Sequence, residues 1–279
     1  MKPTVKWAGG KSSMIPKTLP FFPQTPYRRY IEPFLGGGAF AWHLAPPRAQ
    51  LSDANAELIN LYVKVRDRPD HLVSLLSDWA RDYNQNPREV YLGARAVFNK
   101  TLGGGPDDSL LRAGLFLFLN KTCFNGLWRV NKSGQFNVPF GGRSKCPQLY
   151  DGANLAALGE YLNRPGVELA TRDFRDSLLQ CGDGDLVYLD EPYYGSGFTS
   201  YTSQGYHEKD HLELLSLCAE GYARGATFVA SHHCGPEHFS GWQHFTTERS
   251  TSVSGFKSAR KRTVENVYVL GQPKPSFRE

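Results

Sequence analysis

The stretch YIEPFLGGGAF (Tyr30–Phe40), followed by QLSDANAEL (Gln50–Leu58), decides the fold class. Tyr30–Glu32 reads as a short strand, Gly36, Gly37 and Gly38 as a turn, and Ala39–Ala45 as a helix. A second strand, Gln50–Ser52, ends at Asp53, and a second helix is expected over Ala54–Val65. Strand, glycine turn, helix and strand in succession open a parallel α/β sheet. Glycines at such a turn let a ligand approach the backbone and aim the following helix N-terminus at it. An acidic residue ending the second strand can accept hydrogen bonds from ribose hydroxyls. Together these features predict a nucleoside-cofactor site. Asp53 follows the glycine turn by only about 15 residues, where a dinucleotide site spaces its acid by roughly 20, so NAD is not expected.

Outward from this stretch, further strands are expected at Val167–Ala170, Leu186–Leu189, Ala226–Ser231 and Val264–Leu270, with a helix over His207–Tyr222. Between about Glu57 and Lys145 the pattern turns helical, broken by the turn cluster TLGGGPDDS (Thr101–Ser109). That region ends in WRVNKSGQFNVP, where Asn131–Gly134 separates two alternating runs, a hairpin signal. The chain therefore reads as an α/β domain, residues 1–56 and 146–279, carrying a helical and hairpin insert at 57–145.

The 279 residues carry 32 Lys+Arg against 27 Asp+Glu, a net charge of +5, but the basic residues are unevenly spread. Lys121, Arg129, Lys132, Arg143 and Lys145 fall in one stretch without an acid; Arg249, Lys257, Arg260, Lys261 and Arg262 fall in another. Two such stretches suit a localised polyanion surface. The longest apolar run, LLRAGLFLFL (Leu110–Leu119), holds ten residues and an arginine. A membrane span needs about 20, so this run is expected as a buried helix and no membrane association is expected. The N-terminus lacks an apolar leader, and Cys123, Cys146, Cys181, Cys218 and Cys234 form no C-x-x-C, which fits reduced thiols in a cytoplasm.

The segment DLVYLDEPYY (Asp185–Tyr194) runs a strand into Asp190-Glu191-Pro192-Tyr193. A carboxylate, a proline-stiffened turn and an aromatic ring suit a planar amine: Asp190 and a backbone carbonyl accept its two hydrogens, and Tyr193 stacks on the ring. Three other motifs compete. AGGKSS (Ala8–Ser13) resembles the tail of a P-loop, but the first glycine of that pattern falls on Val5. His207-Glu208-Lys209-Asp210-His211 matches H-E-x-x-H, a zinc pattern on a helix, and reads equally as a capped first turn through Asp210. His232-His233-Cys234 is expected as a loop after a strand, and no metal is expected.

In order, KWAGGK (Lys6–Lys11), EPFLGGGAF, SDANAELINLY, NKTCFNGLWRVNKSGQFNVPFG (Asn120–Gly141), DEPYY and SGFKSARKRTVENVYVL resemble the DNA adenine-N6 methyltransferases of the Dam family across nearly the whole chain. The resemblance implies a Rossmann-like, mostly parallel methyltransferase sheet with an inserted target-recognition domain, and S-adenosylmethionine as methyl donor. It puts Trp7 and Lys11 at the methionine end of the cofactor, Phe34, Gly36 and Gly38 beneath it, Asp53 on its ribose, and Asp173 and Phe174 beside its adenine. Asp190, itself part of the cofactor site, would with the 191 carbonyl, Pro192 and Tyr193 hold a flipped adenine. On double-stranded DNA, the resemblance implies that Lys6 and Arg129 contact bases or phosphates, that Leu127 wedges into the stack, and that Asn125 and Asn137 support the hairpin. Lys257 and Arg260 belong to the final basic loop. The implied target is GATC or a close variant, and the implied assembly a monomer, with a dimer on DNA as the alternative.

One departure matters. The family motif is D-P-P-Y, and here Glu191 replaces the first proline. Its main-chain carbonyl remains, but the ring that fixes φ is lost, so neighbours must hold the turn. A carboxylate facing outward would repel DNA phosphates; one facing a sulfonium would favour cofactor binding. Two readings follow: an active adenine-N6 methyltransferase, or a weak or inactive relative that still binds DNA and cofactor. A zinc peptidase built on His207 and His211 is a distant third.

Overall fold

The computed structural model describes residues 1–23, 25–101, 109–192, 205–232, 235–251 and 261–271, with the backbone alone at 248–251 and 261–264. Seven strands form one sheet: β1 (Arg29–Glu32), β2 (Ala49–Asp53), β3 (Val167–Thr171), β4 (Asp185–Leu189), β5 (Thr227–His232), β6 (Gln243–Thr251) and β7 (Lys261–Leu270). Their order is β3-β2-β1-β4-β5-β7-β6. The first five run parallel, and β7 runs antiparallel between β5 and β6. Alternate residues feed opposite faces. Tyr30, Leu186, Tyr188 and Val229 enter one apolar cluster, whereas Ile31, Val187, Leu189, Phe228 and Ala230 enter a second. A sheet buried on both faces needs apolar residues at every position, which is why these strands read as runs rather than alternations.

The helices are α1 (Ile15–Thr18), α2 (Ala39–Leu44), α3 (Ala56–Asp67), α4 (Pro69–Gln85), α5 (Pro87–Lys100), α6 (Ser109–Thr122), α7 (Gly152–Leu162), α8 (Phe174–Leu179) and α9 (Glu208–Ala223). On one face α3 packs against β2 and β3, with α7 beside it; on the other, α8 lies on β2 and α9 on β5. The chain leaves β1 for β2 on one side and later returns to β4 on the other. Such a switch point opens a crevice at the carboxyl ends of the strands, here between the residues after β1 and those after β4.

The expected buried helix is α6, packed among α3, α4 and α5. Its one charge inside the run, Arg112, is buried but paired with Glu57, donates to the Phe98 carbonyl at 2.9 Å and lies 4.3 Å over the Phe98 ring. The hairpin is present but short. Asn131 N donates to the Gln135 carbonyl (2.9 Å), and Val130 and Phe136 form an antiparallel bridge.

Two expectations need correction. The last strand starts at Lys261 rather than Val264, and β6, whose sequence QHFTTERST lacks an apolar run, is an additional strand. Arg249 and Arg262 therefore stand on neighbouring strands and do not share one loop. The helices α7 and α8 are also additions, each started by an aspartate cap: Asp151 accepts from Asn154 N, and Asp173 from Arg175 N. No helix among the described residues is long and apolar enough to cross a membrane.

Candidate active site

A cleft of about 1080 Å³ opens at the switch point. Its walls carry Trp7, Lys11, Phe34, Gly36, Asp53, Asp173, Phe174, Asp190, Glu191 and Pro192, and it reaches Lys6 and Asn125. Parallel strands deliver these residues. Phe34 and Gly36 follow β1, Asp53 ends β2, Asp173 and Phe174 follow β3, and Asp190 follows β4. The phenyl rings of Phe34 and Phe174 lie 5.4 Å apart in a stacked pair. Asp53 accepts from Gly36 N and Asn55 N, both at 2.9 Å. Burial pushes its carboxyl up to about 6, against those two hydrogen bonds.

The glycine turn works differently from its sequence reading. Gly36 (φ +48°) and Gly38 (φ +67°) adopt left-handed backbone, and a Cβ on them would come within 2.7 Å of the Trp7 ring and 2.2 Å of the Trp42 ring. The space is therefore taken by the protein's own indoles. Gly38 is not among the described residues that line the cleft, whereas Gly36 and Gly37 are. The helix N-terminus is likewise occupied: Ala41 N in α2 donates to Glu32 Oε2 at 3.1 Å, and Tyr30 Oη donates to the same oxygen at 2.7 Å. Burial raises the Glu32 carboxyl to about 8, helped by the nearby charges of Asp190 and Asp53. A charged residue ending an otherwise apolar strand was the signal for Glu32.

Lys11 is buried, with its ammonium 2.7 Å from Asp190 Oδ1 and 2.9 Å from Glu265 Oε1 on β7. Asp190 is thus fixed from the opposite end of the sequence, a role distinct from a phosphate-binding lysine. The Glu191 carboxylate turns away from solvent. Its Oε2 accepts from Tyr206 Oη at 2.5 Å, and its Oε1 lies 3.1 Å from His211 Nδ1. The outward-facing carboxylate that would repel phosphates is therefore corrected: the side chain is 2% exposed.

His207 is the N-cap of α9, with extended backbone, and its N–H donates to Asp210 Oδ2 at 2.8 Å. The H-E-x-x-H stretch is a capped first turn; the two histidines do not share a helix face. Among the described residues no three His, Cys, Asp or Glu side chains are grouped to hold a metal ion.

Beside the cleft, Asn120 at the end of α6 brackets Lys6: its Oδ1 accepts from Lys6 N and its Nδ2 donates to the Lys6 carbonyl, both at 2.8 Å. The Lys6 side chain packs over Gly126, where a Cβ would meet it at 2.4 Å. Beyond lies the hairpin. Trp128, Phe136 and Val138 face inward and are buried, and Trp128 packs 4.2 Å from Phe116. Period-two geometry then turns Arg129 and Asn137 outward, and Arg129 Nε donates to Asn137 Oδ1 at 2.7 Å. Asn125 (φ +54°) is exposed and Leu127 partly so. Phe124, 49% exposed at the base of the hairpin, was not singled out in the sequence, nor was Asn120. Tyr193, Lys257, Arg260, His233 and Cys234 lie outside the described residues.

The family model for the D12 class N6 adenine-specific DNA methyltransferases matches residues 7–264. The type II methyltransferase M1.LlaDCHI of Lactococcus lactis subsp. cremoris is 33% identical over 277 residues, covering 96% of this chain and 95% of its own. The type II methyltransferase M.MjaIII of Methanocaldococcus jannaschii is 35% identical over 83% of this chain and 84% of its own. The DNA adenine methylase of Escherichia coli K12 is 32% identical over 82% of this chain and 80% of its own. With a matched motif order, a cleft at the sheet's switch point and relatives aligned over most of their length, this chain belongs to the D12 class N6 adenine-specific DNA methyltransferases.

Proposed function

We propose that this chain transfers a methyl group from S-adenosylmethionine to N6 of an adenine flipped out of duplex DNA. The observation that carries this reading is the continuity of one cleft from Asp53, Phe34 and Phe174 through Asp190 to Lys6 and Asn125. The lining fits the cofactor chemically: an aromatic pair suits a purine, Asp53 suits ribose hydroxyls, and carboxylates suit a sulfonium. When bound, the cofactor supplies an electrophilic methyl group. At about 1080 Å³ the cleft has the size of a large small-molecule site, ~300–1000 Å³.

An adenine inside a duplex is out of reach, so the base is extruded at a cost of a few kcal/mol. Asp190 and the 191 carbonyl accept the two N6 hydrogens and orient the nitrogen lone pair along the line of attack. S-adenosylmethionine bound there would supply the methyl group and depart as its neutral thioether, and Asp190, as acceptor of an N6 hydrogen, would pass the released proton on to solvent. The work of the protein is positioning and electrostatics. Lys11 holds Asp190 in place for this. Pro192 and Tyr193 complete the grip on the base. Trp7, Gly36, Asp173 and Phe174 serve the cofactor.

Residues 57–145 act as the target reader. Arg129, braced by Asn137, is the principal base contact, Lys6 and Asn125 flank the extruded base, Leu127 fills the stack, and Lys257 and Arg260 meet phosphates. GATC or a close variant is the proposed target, read by a monomer. The alternative, a weak or inactive relative that binds without modifying, rests on D-E-P-Y in place of D-P-P-Y and is the other outcome of the test; the Glu191 carboxylate itself faces Tyr206 and His211. Labelled methyl transfer into unmethylated duplex DNA tests the reading, with the modified sites mapped. Wild type should label adenine, and Asp190→Ala should transfer roughly 10³-fold more slowly; an unlabelled wild type that still binds DNA and cofactor sinks it.

A further inference from the structure

We infer that Glu191 is a positioning residue of methyl transfer: its carboxylate, held by Tyr206 and His211, fixes the turn that carries Asp190 and the 191 carbonyl. This rests on the methyltransferase reading above. A buried carboxylate without donors is strongly unfavourable, and here donors converge on it from separate elements. Tyr206, just before α9, donates to Oε2 at 2.5 Å, and His211 within α9 stands 3.1 Å from Oε1. His232, at the end of β5, lies 3.8 Å from Oε1. A proline holds such a turn by its ring; this chain holds it by anchoring the side chain to the body of the domain.

The far end of the clamp reaches the cofactor wall. The Tyr206 ring meets Phe34 and Phe174 edge-on, each at 6.1 Å. One carboxylate therefore ties the segment proposed to grip the base to the aromatic pair that would flank the cofactor.

The surroundings of His211 favour its imidazolium form. Its Nδ1 faces the carboxylate, and its Nε2 lies 3.3 Å from the His238 carbonyl. A carbonyl only accepts, and so does a carboxylate, so this pair of partners favours a proton on each ring nitrogen. Burial alone would depress its pKa, but the hydrogen bond and charge of Glu191, with the His238 carbonyl and Glu208, more than offset this and raise it. The titratable groups facing the pair are Tyr206 just before α9, Glu208 at its start, Cys218 further along it, His232 on β5 and His238 after it.

The test is single-turnover methyl transfer into unmethylated duplex DNA by wild type, Glu191→Gln, Glu191→Ala, Glu191→Pro and Tyr206→Phe, with equilibrium binding of DNA and S-adenosylmethionine. Loss of the clamp should cost about 100-fold in rate for Glu191→Ala and Glu191→Pro, the scale of a ~1 Å misplacement. Binding should change less than about threefold, because the interaction matters in the transition state. Glu191→Gln, which keeps an acceptor, should recover part of the rate. Tyr206→Phe keeps the ring packing and should transfer about tenfold more slowly, adding nothing on a Glu191→Ala background. The wild-type rate should fall as pH rises through the His211 titration, a limb missing from Glu191→Ala. A Glu191→Pro rate at or above wild type, or full additivity of Tyr206→Phe with Glu191→Ala, overturns the inference. If wild type itself transfers no methyl, the function reading fails instead. The clamp is then judged by NMR titration of the His211 ring: a drop of about one pKa unit or more in Glu191→Gln upholds it, and an equal pKa overturns it.

Discussion

The cleft and the hairpin hold their polar side chains by opposite means. In the cleft, side chains fix one another across the sheet: Lys11 bridges Asp190 and Glu265, and Tyr206 and His211 meet Glu191. In the hairpin, helix side chains hold the main chain. Asn99 brackets Phe136 through its N–H and carbonyl at 2.9 and 3.0 Å, and Tyr91 and Arg95 both donate to the Val138 carbonyl. The hairpin ladder amounts to isolated bridges at Cys123–Phe140 and Val130–Phe136. In effect α5 supplies the hydrogen bonds that a neighbouring strand would otherwise supply. The difference teaches a division of labour. The proposed reacting groups are clamped in a buried network, where a lost partner leaves an uncompensated charge. The groups proposed to read DNA ride outward on a backbone braced from behind, so losing one should leave the fold intact.

The largest test of that contrast removes the cleft's central cation. Lys11→Met would leave the Asp190 and Glu265 carboxylates facing each other, and unfolding in urea should show a loss of about 3–5 kcal/mol. A loss below about 1 kcal/mol would put the cleft's network on the footing of surface ion pairs and erase the contrast. On the hairpin side, Arg129→Ala should leave the urea midpoint unchanged and cost about 1–3 kcal/mol of discrimination between target and mismatched duplexes. Unfolding at lower urea would show Arg129 to be structural.

The smallest effect concerns Asp53 and sharpens the cleft side alone. Its folded carboxyl titrates at about 6, raised by burial from 3.8. In the proposed cofactor site the ionised form would accept ribose hydroxyls above that pH, and below it one oxygen becomes a donor. Cofactor affinity, measured by calorimetry, should therefore hold above pH 6 and fall by about tenfold, ~1.4 kcal/mol, per pH unit as pH drops below it. Asp53→Asn should bind more weakly with no such slope. The sign for folding is opposite: between 3.8 and 6 the folded state holds the extra proton, so Asp53 lowers the stability of the free protein as pH rises through that window.

Much of this architecture was legible in the chain. Local chemistry sufficed wherever function is carried by neighbours in sequence. The glycine turn after Glu32, the acid ending β2, the Asp190-Glu191-Pro192 stretch after β4 and the Asn131–Gly134 hairpin all lie within one or two elements. The edge strand β6 was not legible, because half its bonding edge is open and its side chains carry no apolar run. Gly38 shows a different limit. Glycine marks a position without room for a Cβ, but sequence does not say whether a ligand or a tryptophan fills the space; here Trp42 does.

What the sequence by itself determined is the alternation of strand and helix, the glycine turn and acid of a nucleoside-cofactor site, and the family resemblance, because backbone preference and burial period act over a few residues. Only the tertiary structure decided the fate of Glu191 and Asp190. Tyr206 and His211 stand 15 and 20 residues beyond Glu191, and Lys11 reaches Asp190 and Glu265 from the other end of the chain. Whether a carboxylate meets DNA, cofactor or a buried imidazolium depends on which elements the sheet order brings beside it. That order is set by packing summed over the whole core, which no local stretch encodes.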